Sequence, residues 1–378
     1  MPAPPPINEF GDEDDDDDEG VSARIAELPA FLPEPPERLE ELLNEALAHP
    51  AARPGEYPVF RWPDALASGG ELRDSDTAAR LKRTMTRLAA SGGTRPLALP
   101  PANWRDILDG LERDCPNFVS VVQEVVRPHV GMLARGIPHR MTPVLLVGPP
   151  GVGKTHFAKQ LAIAMGAPVP LLIDMAQETN GSALAGSSVF WSNSSPGSLF
   201  EALAWGQSGS PPVANPLVLL DEIDKIGTLT YAPQGALYAL LEGQTAKNFK
   251  DQALPDVAID AGLVSFVATA NDLDAVSHVL RSRMWVYSIQ PPGPEQHSQV
   301  VKSIFRDLIK NLGVPFHEDL PHEVLVQSSG QSPRELRLRL DTALAHAVAS
   351  NAPCLSMLHW NKTQTLHATK QNRRIGFI

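Results

Sequence analysis

Eight consecutive residues, Gly148-Pro149-Pro150-Gly151-Val152-Gly153-Lys154-Thr155, have the types and spacing of an anion trap. They satisfy G-x-x-x-x-G-K-[ST], and the apolar run Pro143-Val144-Leu145-Leu146-Val147 leads straight into them. Glycines let the backbone curl so that successive N–H groups point at phosphate oxygens. A helix starting at Lys154 adds partial positive charge at the same place. Lys154 would reach β- and γ-phosphates, and Thr155 would offer its hydroxyl to Mg²⁺. A chance glycine turn before a helix is the alternative, and a second motif argues against it.

That motif is Pro216-Leu217-Val218-Leu219-Leu220-Asp221-Glu222. Four apolar residues ending in two acids predict a buried parallel strand with carboxylates at its C-terminal edge. Ligands of open α/β sheets bind at that edge. Asp221 is placed to hold the Mg²⁺ shell. Glu222 is placed to polarise a water for attack on a γ-phosphate. In isolation the same residues read as a strand and a solvated turn. A neighbouring apolar run, Val264–Ala270, ends at Asn271, whose amide could bond an attacking water or a γ-phosphate. Taken alone, Asn271 reads as a turn former. Arg281 and Arg283 flank Ser282 before Met284-Trp285-Val286, and Arg334 opens a helix after Ser332-Pro333, where proline suits the first turn. Each arginine alone reads as surface charge.

Positioning these groups takes alternating elements. The pattern predicts strands at 143–147, 169–174, 217–221, 264–269 and 285–289, with helices at 154–165, 198–205, 234–242 and near 274–280. Helices over Trp104–Arg113 and Asn117–Arg135 precede them. Such alternation predicts an α/β fold, a parallel sheet flanked by helices. Gln290-Pro291-Pro292-Gly293-Pro294 is a natural hinge, followed by helices at 295–312, 320–328 and 333–350 and a short hairpin around Asn361-Lys362. Four segments result: a Pro-rich and acidic tail, 1–20, expected to be disordered; a helical accessory region with linkers, 21–100, with helices at Arg38–Ala48 and Asp76–Ala90; a large α/β domain, 101–292; and a small helical lid, 293–378.

The net charge of −12 is concentrated in the eight acids of Asp12–Glu19, so the remainder carries about −4. A nearly balanced body gives no support for non-specific nucleic-acid binding, although Lys247, Lys250 and Arg306 leave room for local basic patches. The two cysteines, Cys115 and Cys354, match neither a disulfide framework nor a zinc site, which favours a reducing cytoplasmic setting. No stretch of about 18 apolar residues predicts a membrane span, and the first residues lack the basic and apolar regions of a signal peptide.

Taken in order, these motifs resemble those of AAA+ ATPases, and most closely the ATPase module of the Lon family. GPPGVGKT and LLDEIDK (Leu219–Lys225) are shared nearly verbatim. Ser195-Pro196-Gly197 resembles the Lon pore-loop segment, Val267–Asn271 its VATSN strand, and Ser282-Arg283-Met284 its DRM. The resemblance covers roughly residues 105–378 and weakens after 295. It implies ATP and Mg²⁺ as cofactors, Asn271 as a first sensor, and Arg283 as an arginine finger acting in the neighbouring subunit, with Arg281 as runner-up. It also implies Arg334 as a second sensor and a homo-oligomeric ring, most often a hexamer. Trp191, with Phe190 beside it, matches the aromatic pore-loop position, where an ordinary core aromatic is the alternative. Tyr231 is a second pore candidate. The chain stops about where the Lon protease domain would start, and the acidic region stands in place of the long Lon amino-terminal domain, so no peptidase activity is expected. The leading expectation is ATP-driven threading or remodelling of a protein. A nucleic-acid motor or loader, and a slow nucleotide-dependent switch or scaffold, are the alternatives.

Overall fold

In the computed structural model, the described residues are 55–61 and 83–363, except 89, 168, 179–180, 189–193, 208 and 227–233. The expected acidic tail and the helix at Arg38–Ala48 lie outside them.

The strands are β1 (Glu56–Pro58), β2 (Phe60–Arg61), β3 (Thr94–Pro96), β4 (Val144–Val147), β5 (Leu171–Asp174), β6 (Leu217–Asp221), β7 (Ala258–Ile259), β8 (Ser265–Ala270) and β9 (Trp285–Ser288). Five of them form one parallel sheet in the order β5-β6-β8-β4-β9. Period-2 alternation sends neighbouring side chains to opposite faces. Val218 and Leu220 of β6, with Phe266 and Ala268 of β8, join the core on one face. Leu217, Leu219 and Val267 join the core on the other. Both faces are covered, so the strands read as continuous apolar runs rather than alternating ones.

The main helices are α1 (Trp104–Asp114), α2 (Arg127–Leu133), α3 (Lys154–Ala164), α4 (Ser182–Ala185), α5 (Ser198–Trp205), α6 (Gln234–Leu241), α7 (Gly243–Ala246), α8 (His278–Arg281), α9 (Pro294–Lys310), α10 (His322–Gln327), α11 (Pro333–Ala349) and α12 (Met357–Asn361). The helix expected over Asn117–Arg135 is irregular: a tight turn at Pro116–Phe118, one α-turn, a widened π-turn at Val122–Val126, then α2. Pro128 cannot donate to the preceding turn, and the widened turn just ahead of it accommodates the lost bond. Helices α9 to α12 share a separate core around Phe305, Leu340 and Trp360. Pro333 occupies the first turn of α11 as the sequence suggests, and a reciprocal cap adds to it: Ser332 Oγ accepts from the Glu335 N–H, and the Glu335 carboxylate accepts from the Ser332 N–H.

Two expectations are corrected. The region 21–100 reads as helical and linker in sequence, yet β1 pairs antiparallel with β3 and β2 with β7, while residues 83–88 are helical. Pro58 and Pro96 sit in the two-stranded β1–β3 ribbon, where a missing donor is tolerated. These pieces also close the main core: Val59, Phe60, Met85 and Leu88 are buried in it, and Phe60 packs edge-on against Phe200 at 5.5 Å. At the other end, the hairpin expected around Asn361-Lys362 is instead the short helix α12. Ser356 and His359 cap it reciprocally, and burial of Trp360 holds it down.

Helix α5 is gripped at both ends by charged groups from remote segments. Arg95 donates to the carbonyls of Leu203 and Ala204 at 2.7 and 3.1 Å, where the helix dipole is negative. At the start, the fully buried Asp251 carboxylate accepts from the N–H groups of Gly197 and Ala253, each at 2.8 Å. Burial pushes the Asp251 carboxyl up from 3.8 to about 7 despite those donors, and nearby Glu201 adds to the rise. The folded chain thus holds this proton more tightly than the unfolded chain does. Its contribution favours folding below the unfolded value and is lost as pH rises through about 7. Asn at this position does not titrate. The melting temperature of Asp251→Asn minus that of wild type should therefore climb between about pH 4 and pH 7 and level off above it. A difference that is constant over this range in calorimetry would contradict the assignment.

Candidate functional site

The carboxyl ends of β4, β6 and β8 open into a cavity of about 760 Å³ between the sheet and helices α9 and α11. After β4 the chain turns sharply into α3. Two glycines make that turn possible. A Cβ on Gly148 would lie 2.2 Å from the Ile289 carbonyl oxygen, and Gly153, at the start of α3, has φ +104°. Lys154 begins the helix with its side chain folded back over the loop. Its ammonium donates to the carbonyls of Gly148 and Pro149 at 2.7 and 3.1 Å and to Asn271 Oδ1 at 3.0 Å. Burial lowers the Lys154 pKa. The carboxylates of Asp224, Asp221 and Glu222 oppose that shift, and Arg334 adds to it.

Thr155 is the next residue on α3, and its hydroxyl lies 3.0 and 3.1 Å from the two carboxylate oxygens of Asp221 at the end of β6. The second acid, Glu222, follows in a left-handed conformation, φ 56° and ψ 46°. For a residue with a Cβ this geometry costs of order 1–3 kcal/mol and tends to occur where a site requires it. Thr269 of β8 holds the pair: its hydroxyl donates to Asp221 Oδ1 and accepts from the Glu222 N–H at 3.0 Å. Asn271 stands two residues further on.

The opposite wall comes from the helical layer. Arg334 and Arg337 line the cavity, and a Cβ on Gly151 would lie 3.1 Å from that of Arg334. The loop and the start of α11 are therefore in contact. A third wall is the segment Cys115–Phe118. Phe118 stacks on Phe157 of α3 at 4.3 Å, and Asn117 donates to the Gln290 carbonyl at 3.1 Å, next to the hinge. Ionic and polar contacts bridge the two layers: Arg306 to Asp114 at 2.9 Å, His156 to Asp307 at 3.7 Å, and Gln296 to the Pro116 carbonyl at 3.4 Å. Burial lowers the His156 pKa, partly offset by Asp307.

The structure brings Gly151, Val152, Gly153, Lys154, Thr155, Asp221, Glu222, Asn271 and Arg334 around one cavity, with Pro150 at its rim and Gly148 and Pro149 beneath Lys154. It does not bring Arg283 there. That side chain lies against α6 and α8, donating to the Val279 carbonyl at 2.9 Å, 3.7 Å from Glu242 and 5.6 Å from the Tyr238 ring centre. Arg281 is 3.7 Å from Asp274. Phe190, Trp191 and Tyr231 lie outside the described residues. Sequence reasoning passed over Thr269, Asn117 and Phe118. Thr269 did leave a signal, as a polar residue inside the otherwise apolar end of β8.

A glycine-rich turn into a helix, an acid pair on a strand of the same sheet one position removed, and a lysine between them define the P-loop class of nucleotide-binding folds. Residues 144–290 match the model of the ATPase family associated with various cellular activities (AAA). The chain is 31% identical over 201 residues to a Lon protease of Leptospira interrogans, covering 52% of this chain and 23% of that protein. It is 39% identical over 149 residues to a Lon protease of Wolbachia pipientis, covering 39% and 17%. The chain thus spans about a fifth of the length of the curated relatives it matches. A solved structure of a Thermotoga maritima RuvB mutant aligns with a TM-score of 0.44 at 15% identity, over 68% of this chain and 69% of that one. No helix among the described residues is long and apolar enough to cross a membrane.

The donor set fits Mg²⁺. A hydroxyl lone pair of Thr155 and the Asp221 carboxylate offer hard oxygen ligands, and the hydroxyl proton remains free to bond Asp221. Among the described residues no group of three or more His, Cys, Asp or Glu side chains could hold a metal alone. Mg²⁺ is commonly held by one or two carboxylates and completed by phosphates and water. Replacing Lys154 with Ala should remove the charge that meets those phosphates. Fluorescent-ATP titration should show affinity weaker by at least about tenfold, given about 1.5–3 kcal/mol for a charge-assisted hydrogen bond; unchanged affinity would place the nucleotide elsewhere.

Proposed function

We propose that this chain is a ring-forming, Mg²⁺-dependent ATPase that couples ATP hydrolysis to threading or remodelling of a protein. The observation that carries the ATPase reading is the convergence of Lys154, Thr155, Asp221, Glu222 and Asn271 on one sheet edge, faced by Arg334 from the helical layer. In this reading Lys154 exchanges its loop carbonyls for β- and γ-phosphate oxygens. That exchange frees Asn271 to orient the attacking water. Glu222 accepts the water's proton as the nucleophile attacks the γ-phosphorus in line. Mg²⁺, held by Thr155 and Asp221, would neutralise charge on the β- and γ-oxygens. Asn117 and Phe118 line the cavity beside the loop, Asn117 3.5 Å from the Val152 carbonyl, where a nucleobase would lie.

The ring reading rests on Arg283. Its guanidinium lies outside the cavity of its own chain, partly buried against Val279, Tyr238 and Glu242. That placement suits a finger offered to a neighbouring copy, an effect worth about 10³ or more in rate where fingers act. Arg334 reports phosphate state to the helical layer through the α11 contact at Gly151. The Pro291-Pro292-Gly293 hinge would convert that contact into movement. Phe190, Trp191 and Tyr231 are the proposed grips on a protein client, and the work takes place in the cytoplasm.

Glu222→Gln should bind ATP with wild-type affinity and fail to hydrolyse it, because an amide cannot take the water's proton. Measurable turnover in that variant would remove Glu222 as the base. Arg283→Ala alone should be inactive, and mixing it with Glu222→Gln should restore turnover. No rescue in the mixture would argue for a site complete within one chain. Purified from cells with ATP and Mg²⁺, Glu222→Gln should retain protein that Lys154→Ala does not. Retained nucleic acid instead would replace the protein-remodelling reading with that of a motor or loader.

A further inference from the structure

We infer that Thr269 is the positioning residue that fixes both acids of the site, and that its hydroxyl, rather than its bulk, is what the reaction requires. The inference rests on the ATPase reading above and extends it to a residue outside the nucleotide-binding loop and the acid pair.

Thr269 is 1% exposed and stands on β8, one step beyond the register pair Leu220–Ala268 that joins β6 to β8. Its oxygen has one proton and two lone pairs. The proton goes to Asp221 Oδ1, and a lone pair receives the Glu222 N–H at 3.0 Å. Neither bond can be reversed, because an ionised carboxylate only accepts and a backbone N–H only donates. The bridge between these consecutive residues therefore needs a group that does both at a single atom. Of the side chains small enough for this strand position, only Thr and Ser supply it. Val matches the shape and supplies neither function.

Each bond constrains one acid. Asp221 is held between two hydroxyls, Thr155 from the helix side and Thr269 from the strand side, so its carboxylate is pinned where the metal-binding pair must lie. Glu222 is held through its backbone in the left-handed conformation, which a residue with a Cβ adopts only when its surroundings impose it. Without the Thr269 acceptor, the Glu222 peptide is free to relax toward right-handed or extended geometry and carry its carboxylate away from the water it serves. The hydroxyl thus couples metal ligand and base: displacing either acid displaces the other.

The test compares Thr269→Val and Thr269→Ser with wild type. Four readouts apply: steady-state hydrolysis across a Mg²⁺ titration, binding of a fluorescent ATP analogue without Mg²⁺, residue-resolved exchange of the Glu222 amide, and melting temperature. Thr269→Val should lower kcat by about 10²-fold, the scale of a misplacement near 1 Å at a reacting group. It should also raise the Mg²⁺ concentration for half-maximal rate, leave Mg²⁺-free binding unchanged, and deprotect the Glu222 amide while amides within β6 stay protected. Thr269→Ser should recover most of kcat and the amide protection. A Thr269→Val enzyme with wild-type kcat and Mg²⁺ dependence would overturn the proposal. So would equal losses of binding and melting temperature in both variants, which would reduce Thr269 to packing. If wild type binds nucleotide but does not hydrolyse it, the ATPase reading fails on its own, and Glu222 amide exchange still decides whether Thr269 pins the acid.

Discussion

Burying polar groups among apolar strands is costly without partners, and this chain gathers the polar groups of its site where the strands end. Strands β4 and β6 are apolar until their carboxyl edge, and β8 is apolar between Ser265 at its start and Thr269 near its end. In a parallel sheet all those edges face the same way, so the turn into α3, the acid pair and the Thr269–Asn271 segment are gathered without any long loop. The burial that stabilises the sheet is thus what sets the spacing of the site. Within it, one lysine is partly stripped of water among three carboxylates, and it occupies itself with loop carbonyls and Asn271. Such an arrangement is complementary to an anion with several oxygens.

The helical layer walls the cavity opposite the sheet edge. Its own core gives it independent packing, while Arg334, Arg306 and Gln296 reach across to the loop and to the Asp114–Pro116 segment. These contacts are polar, and those at the surface are worth little individually. A layer tied by such bonds can shift against the sheet without breaking either core. Helix α5, locked by Asp251 at its start and Arg95 at its end, is by contrast a rigid part of the sheet layer.

How much of this was legible in the residues depended on the range of the cause. The loop, the acid pair, the five strands and the proline-led start of α11 depend on local pattern, and they were read from residues a few positions apart. The strands at 56–61 and 94–96 were missed because their stability comes from partners distant in sequence, β7 and Phe200, while their prolines suggested broken chain. The hairpin expected at Asn361 gave way to α12 because a Ser356–His359 cap and burial of Trp360 act together, and only the first is local. Thr269 looked like one more strand residue. Its role appears only when β6 and β8 are set side by side. Arg283 was singled out by resemblance, and its placement away from the cavity of its own chain emerges only in three dimensions.

The central claim is that this sheet edge is a Mg²⁺-nucleotide site, and a structure solved with Mg²⁺ and a non-hydrolysable ATP analogue tests it most directly. The account predicts the metal between Thr155 and Asp221, Lys154 moved from the carbonyls of Gly148 and Pro149 onto phosphate oxygens, and Asn271 released toward the γ-phosphate. Nucleotide bound elsewhere, or bound here with Lys154 still on its loop carbonyls, would contradict it.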